Sequence, residues 1–263
     1  MKPLLIAGFH RSGTSAVARV LHSAGLFLGD DLLGAEPSNP HGHFEDNEVI
    51  SIHNDILEMN GLDWKVDAPL DPYVGKAQWQ AIDAFVRQRR SGQQPWGFKD
   101  PRLCLLLPLW LHVIPDANVL VVFRRPGETI RSLHMRHSRQ HVLFGGREQP
   151  HVEFWTRQDL GVRLWLNYHR TLLSSLPDDD RVHYVNFGDR VAVGEVASDI
   201  RERFGVELGE PDVSVVDGQL GNTNIDPIRV EDHGLVTEVS DLWQTLLRRC
   251  EQSQAKLRPA KMP

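Results

Sequence analysis

Eight residues near the start of the chain, Gly8-Phe9-His10-Arg11-Ser12-Gly13-Thr14-Ser15, have the frame of a phosphate-binding loop. Gly8 and Gly13 permit tight turns, so that successive backbone N–H groups can face one anion at the positive end of the following helix. Thr14 and Ser15 add hydroxyl donors. The position where a triphosphate-binding loop carries lysine is Thr14, so the charge that lysine would supply has to come from elsewhere. Arg11, inside the loop, is the nearest cation, and the segment His10 to Ser15 is the candidate anion cradle.

A second basic site follows the most apolar stretch of the chain, `NVLVVF`, which ends in Arg124 and Arg125. A metal-dependent nucleotide hydrolase would place an acidic residue at such a strand end to help hold Mg²⁺. Two arginines instead repel a cation and attract an anionic group, and ligands of a parallel sheet bind at that edge. The pattern therefore predicts two anion subsites and no metal. Asp100, after `WGFK`, is the one acidic residue in a comparable place, and its position before Pro101 reads as a helix N-cap. Lys99, at the same strand end, is a fixed cation that could stabilise charge developing on a leaving group. The loop `NPHGHFEDNEV` offers general bases: Glu45 first, where the loop meets its helix, then His43 and His41. Asp46 reads as an N-cap. His134, His137 and His141 fall on a basic helix and suit a solvated or substrate-facing side better than a metal site.

The two phosphate motifs taken together resemble the sulfotransferases that use 3′-phosphoadenosine 5′-phosphosulfate (PAPS). The resemblance runs over about residues 3–205 and includes the stretch `WGFKDPRLCLLLPLWLHVIPDANVLVVFRRP`. It implies that His10, Arg11, Ser12, Gly13, Thr14 and Ser15 hold the 5′-phosphosulfate. It implies that Arg124 and Ser132, eight residues apart, hold the 3′-phosphate. Lys99 falls on the lysine of the family's Lys-Asp-Pro motif, where it bridges donor and leaving group. The segment `VHYVNFGDRV` is similar to a later family strand, but Phe187 and Gly188 replace the usual Tyr and Glu. The implied reaction is metal-independent, in-line sulfuryl transfer to a hydroxyl or amine of a carbohydrate or other small acceptor. Lys99, Arg11 and Glu45 or His43 would then be catalytic. Two other readings remain open at this point: a nucleotide kinase or NTPase with a degenerate loop, and a nucleotide-binding module without turnover.

These residues need a scaffold that brings them together. Strand, glycine loop and helix follow one another over `PLLIAGFHRSGTSAVARVLHSAG`, with Gly25 as the stop. Further helices are predicted over about 46–60, 76–91, 153–176 and 233–257. A helix kinked at Pro108 should follow Asp100, one opened by Pro126 should follow Arg125, and another should cover `EVASDIRERFG`. Alternation of apolar strands with helices predicts a three-layer α/β/α domain with a central parallel sheet, P-loop NTPase-like, over residues 1–263.

Composition suits a globular enzyme, at 41% hydrophobic and 24% charged residues. A net charge of −6 argues against a nucleic-acid partner and makes any anion site a local basic pocket. Cys104 and Cys250 are far apart and fit no metal spacing, as expected of thiols in a reducing compartment. No apolar run reaches the ~20 residues of a membrane span. `PLLIAGF` is too short for a leader peptide, so the cytoplasm is the expected location. Oligomeric state is not encoded in any of these patterns.

Overall fold

Short apolar runs without alternation form strands buried on both faces, and here they pair in parallel. In the computed structural model, which describes residues 2–35, 42–143, 149–177, 179–212 and 230–257, β1 is Leu4–Ala7, β2 Gly97–Lys99, β3 Asn118–Phe123 and β4 Val182–Asn186. Their order is β2-β1-β3-β4, all parallel, with Leu5 opposite Phe98 and Val119, and Val121 opposite Tyr184. The period of two along a strand divides the core. Leu5, Ala7, Val119, Val121 and Phe123 face one side, and Leu4, Ile6, Leu120 and Val122 face the other.

The helices, in chain order, are α1 Thr14–Ser23, α2 Asn47–Met59, α3 Lys76–Ser91, α4 Leu103–Val113 and α5 Pro126–Leu143, followed by α6 Gln149–Thr156, α7 Leu160–Ser175, α8 Arg190–Phe204 and α9 Gly234–Ala255. Side chains of α1 and α8 pack on the second face; α2, α3, α4, α7 and α9 contribute to the first. The result is the expected three-layer α/β arrangement. Among the described residues no helix is long and apolar enough to cross a membrane.

Two local expectations change. The helix expected over 153–176 is two, α6 and α7, and Asp159 between them accepts the backbone N–H groups of Glu231 and Asp232 at 2.7 and 3.2 Å. That contact ties the approach to α9. Helix α8 begins at Arg190, a full turn before the expected Glu195. Both cysteines are buried free thiols, and burial pushes Cys250 up to about 11.

At the edge β4, α9 is fastened by a buried polar tie. Ser253 Oγ lies 2.8 Å from His183 Nδ1 and accepts the Tyr184 N–H at 3.2 Å, while His183 Nε2 is 3.3 Å from Asp199 of α8. The residue set imitates a hydrolytic triad, but His183 is fully buried and Ser253 nearly so, which makes it a structural fastening.

The loop after β1 has the geometry its glycines suggested, with one unforeseen participant. Arg11 (φ 65°) and Gly13 (φ 89°) are both left-handed, which folds the backbone into a concavity suited to an anion. A Cβ added at Gly8 would lie 2.2 Å from the Val122 carbonyl oxygen, so the loop leaves the sheet against bare backbone. A Cβ at Gly13 would lie 2.1 Å from the Phe187 ring.

Two tests follow from this scaffold. His169, fully buried on α7, has Nδ1 2.8 Å from the Trp165 carbonyl, and burial holds the ring at about 4 against an ordinary 6.5. A ring kept neutral in the fold stabilises it fully above the unfolded value and loses that contribution as pH falls from 6.5 toward 4, by up to about 3 kcal/mol. His169→Leu should flatten urea-derived stability over that window; a curve parallel to the parent's would show that the folded protein protonates His169 freely. Gly13→Ala should destabilise through left-handed strain of about 1–2 kcal/mol and overpacking on Phe187 of about 1–3 kcal/mol. Adding Phe187→Ala should recover only the second part, and a strictly additive double mutant would mean the ring is not the obstacle.

Candidate active site

All four strands point their carboxyl ends at one edge of the sheet, and each delivers something to the same pocket. The anion loop follows β1, Lys99 closes β2, Arg124 follows β3 and Phe187 lies one residue past β4. His10, Arg11, Gly13, Thr14 and Ser15 line the pocket from the loop; His43 and Glu45 line it from the segment before α2. The sequence-predicted residues are therefore brought together, with two qualifications. Ser12 is fully buried behind the loop, its hydroxyl without a hydrogen-bond partner among the described residues, and Ser132 meets the pocket through Arg11, whose Nε donates to its Oγ at 2.9 Å. His41 lies outside the described residues, as does the side chain of His141.

Lys99 is not the long surface side chain its type would suggest. It is 1% exposed, and its Nζ donates to Glu45 Oε1 at 2.5 Å and to Ser15 Oγ at 3.3 Å. The candidate transition-state cation and the candidate base, assigned separate roles on sequence grounds, are thus a buried ion pair. His43 Nδ1 stands 4.0 Å from the same Glu45 oxygen. The strand-like bridge between Leu32 and Asp46 and the bonds Leu33 N–H to Glu45 carbonyl and His43 N–H to Leu33 carbonyl hold this loop in place, with Phe44 at φ 55°.

Two buried charge clusters fix the ends of that pair. Asp46 caps α2, accepting the Glu48 N–H at 2.9 Å, and pairs with Arg89, whose guanidinium lies between the Phe27 and Phe85 rings at 4.8 and 4.9 Å. Burial pushes the Asp46 carboxyl up, and the Glu48 N–H and Arg89 pull it back. Asp100 was expected to be an N-cap and does accept the Arg102 N–H at 2.7 Å, but that is its smaller part. Both its oxygens bind the Arg102 guanidinium, at 2.9 and 2.5 Å, and one lies 3.2 Å from His53 Nδ1. Trp110 donates its indole N–H to His53 Nε2 at 2.8 Å, which places the imidazole proton on the side of Asp100. Burial alone would raise the Asp100 carboxyl; Arg102 and His53 outweigh it and hold Asp100 well below the carboxylate range. An aspartate so engaged has little left to offer a metal ion.

His10 turns away from the cradle toward an aromatic wall. Its ring lies 4.7 Å from that of Trp64 and 5.7 Å from that of Tyr168, and burial, then Arg102, keeps it neutral by pulling its pKa well below the ordinary value. Trp64 is held by α7: the Tyr168 hydroxyl donates to its carbonyl at 2.5 Å, and Asn167 donates to the Val66 and Ala68 carbonyls at 3.0 and 2.7 Å. His137, Trp64 and Phe154 form a cluster of near-parallel rings, His137 lying 5.5 Å from Trp64 and 4.2 Å from Phe154 and those two 6.0 Å apart, and His134 meets the edge of Phe154. Among the described residues no three His, Cys, Asp or Glu side chains converge as metal ligands.

On the β3 side, Arg124 Nε donates to Glu128 Oε2 one helical turn on at 2.8 Å, and its guanidinium sits 5.8 Å from the Phe187 ring centre. Arg125 is exposed. Two lining residues, Arg136 and Phe187, were not among the candidate site residues. Arg136, two turns into α5, adds a cation that, after burial, contributes most to lowering the pKa of Arg11. Phe187 packs against Gly13. Arg136 was hidden among other basic residues of α5, whereas Phe187 was visible as a departure from the pattern.

A model of the sulfotransferase family matches residues 3–210, from β1 past the end of α8. No curated protein matches the chain significantly. Among solved structures, the fold is similar to that of sulfotransferase STF9 from Mycobacterium avium, at 15% identity and a TM-score of 0.59, covering 94% of this chain and 76% of that one. It is also similar to sulfotransferase STF1 from Mycobacterium tuberculosis H37Rv, at 17% identity and a TM-score of 0.50, covering 93% and 76%. At such identities the likeness concerns the fold alone. The family match over most of the chain, on a fold whose strand ends converge on one cationic pocket, identifies this protein as a member of the sulfotransferase family and an enzyme of that class.

Proposed function

We propose that this enzyme transfers the sulfuryl group of PAPS to a hydroxyl of a carbohydrate or other small acceptor, without a metal ion. The observation that carries the reading is the charge of the pocket. Arg11, Lys99, Arg124 and Arg136 converge at the start of α1 in a protein whose net charge is −6. Fixed cations and the N-terminal backbone of a helix are what a donor with separate 3′ and 5′ anionic groups requires.

Within this reading, the concave loop and Ser15 receive the 5′-phosphosulfate. Arg124, freed from Glu128, and Ser132 receive the 3′-phosphate, with Arg11 spanning the two through its bond to Ser132. Sulfuryl transfer should pass through a loose, in-line transition state like that of phosphoryl transfer, with charge gathering on the departing phosphate. Lys99 is the cation placed to meet that charge, and Glu45, with His43 beside it, is the base placed to take the acceptor's proton. A metal-dependent NTPase is disfavoured by Thr14 in the loop and by the full engagement of Asp100 with Arg102 and His53. Two buried thiols suit a reducing, cytoplasmic setting.

Calorimetry with 3′-phosphoadenosine 5′-phosphate should give the same affinity in EDTA as in Mg²⁺. Binding that vanishes in EDTA and returns with Mg²⁺ would replace this reading with a metal-dependent one. Arg124→Ala should weaken the bisphosphate by roughly 1.5–3 kcal/mol, the value of a charge-assisted hydrogen bond. It should leave adenosine 5′-phosphosulfate, which has no 3′-phosphate, nearly unchanged. Equal losses for both ligands would remove Arg124 from the 3′ subsite.

A further inference from the structure

Four pocket-lining side chains make a polar line from the anion loop to the candidate base. Ser15 Oγ is 3.3 Å from Lys99 Nζ, Lys99 Nζ is 2.5 Å from Glu45 Oε1, and Glu45 Oε1 is 4.0 Å from His43 Nδ1. The middle of the line is dry: Lys99 is 1% exposed and Glu45 8%. At one end stands the loop that would hold an anionic donor, at the other the carboxylate that would deprotonate an acceptor. The oxygen that must take the proton is already accepting from Lys99, so it is not open to a proton from an acceptor while that contact stands. The same ammonium is the cation nearest Ser15. Its charge cannot serve the donor and the base at full strength together.

We propose, resting on the PAPS reading above, that the Lys99–Glu45 pair is a donor-operated latch on the acceptor base: the sulfuryl group arriving beside Ser15 draws Lys99 off Glu45, and only then can Glu45 accept a proton. The donor must therefore bind before the acceptor reacts. In the step that follows, the acceptor O–H proton passes to Glu45 and the acceptor oxygen bonds to sulfur. The bond from sulfur to the bridging oxygen breaks, and its electron pair stays on the departing 5′-phosphate, where Lys99 now stands. The groups that bear on Glu45 are few. Lys99 faces it from the end of β2 and His43 from its own loop, while Arg102 ahead of α4 and His53 of α2 act at longer range. Of these, Lys99 alone also reaches the anion loop through a direct hydrogen bond.

The test is a carbon-13 NMR titration of the Glu45 side-chain carboxyl in the whole protein, assigned with Glu45→Gln. It is run with 3′-phosphoadenosine 5′-phosphate and again with a PAPS analogue whose bridging oxygen is replaced by methylene. The two ligands differ by the sulfuryl group and by the methylene that carries it in place of a phosphate oxygen. The latch predicts that Glu45 titrates about one pH unit higher with the analogue, an approximately tenfold gain in proton affinity. It also predicts that this difference disappears in Lys99→Met, or in Lys99→Gln should the first variant not fold. Equal titration with both ligands in the parent protein overturns the latch, with the PAPS reading intact if calorimetry shows both bound. A difference that survives removal of Lys99 overturns it too, because the donor's own charge then explains the shift. If neither ligand binds, the PAPS reading and the latch fall together.

Discussion

A parallel sheet has one carboxyl edge, and in this enzyme everything chemical is set by what its four strands release there. Because β1 lies between β2 and β3, the anion loop sits at the centre of that edge, with Lys99 on one flank and Arg124 on the other. The backbone of β3 comes so close to the loop that only glycine fits at position 8. Phe187, past the end of β4, closes the far side against Gly13. The pocket is therefore a property of strand order and register, and the loops add side chains to a position the sheet has already chosen.

The charges in that pocket are dear to bury, and the protein supplies partners for them from outside it. Breaking a buried ion pair by removing one member typically costs about 3–5 kcal/mol, because the other is left uncompensated. The pairs that matter most are of this kind. Asp46–Arg89 secures the start of α2 beside Glu45, and Asp100–Arg102, joined by His53, secures the turn after Lys99. Since His53 also belongs to α2, the second cluster fixes that helix against the end of β2. The separation of Lys99 from Glu45 is held from both sides. Exposed pairs such as Arg87–Asp83 or Lys256–Asp180 contribute far less, the median being about 0–1 kcal/mol.

The family match and the fold establish the class of enzyme, and an aromatic cluster stands behind the pocket. Trp64, His137 and Phe154 stack beside His10, and α7 anchors the Trp64 segment through Asn167 and Tyr168. These rings meet the pocket through His10, so an aromatic cluster backs a pocket whose own lining carries Arg11, Lys99, Arg124 and Arg136.

Much of this was legible in one dimension. The glycine loop, the strand–loop–helix frame, the arginine at the end of β3 and helices α2 and α3 follow from local rules, since glycine tolerance, apolar runs and helical periodicity act over a few residues. Local rules also foresaw the cap at Asp46. They failed where a side chain's meaning depends on a partner distant in sequence. Lys99 is a surface residue by type and a buried one in fact, because Glu45, 54 positions away, neutralises it. Asp100 is a cap by its neighbours and the hub of a charge cluster by its contacts with His53 and Arg102. Arg11 is a loop cation by its neighbours, and its bond to Ser132 of α5, 121 positions away, is a contact that no local rule foresees. The sequence by itself determined the fold class and which residues could bind anions, because those depend on backbone geometry and charge. Only the tertiary structure decided which charges cancel one another, because the energy of a charge is set by distance and burial, and neither exists along a chain.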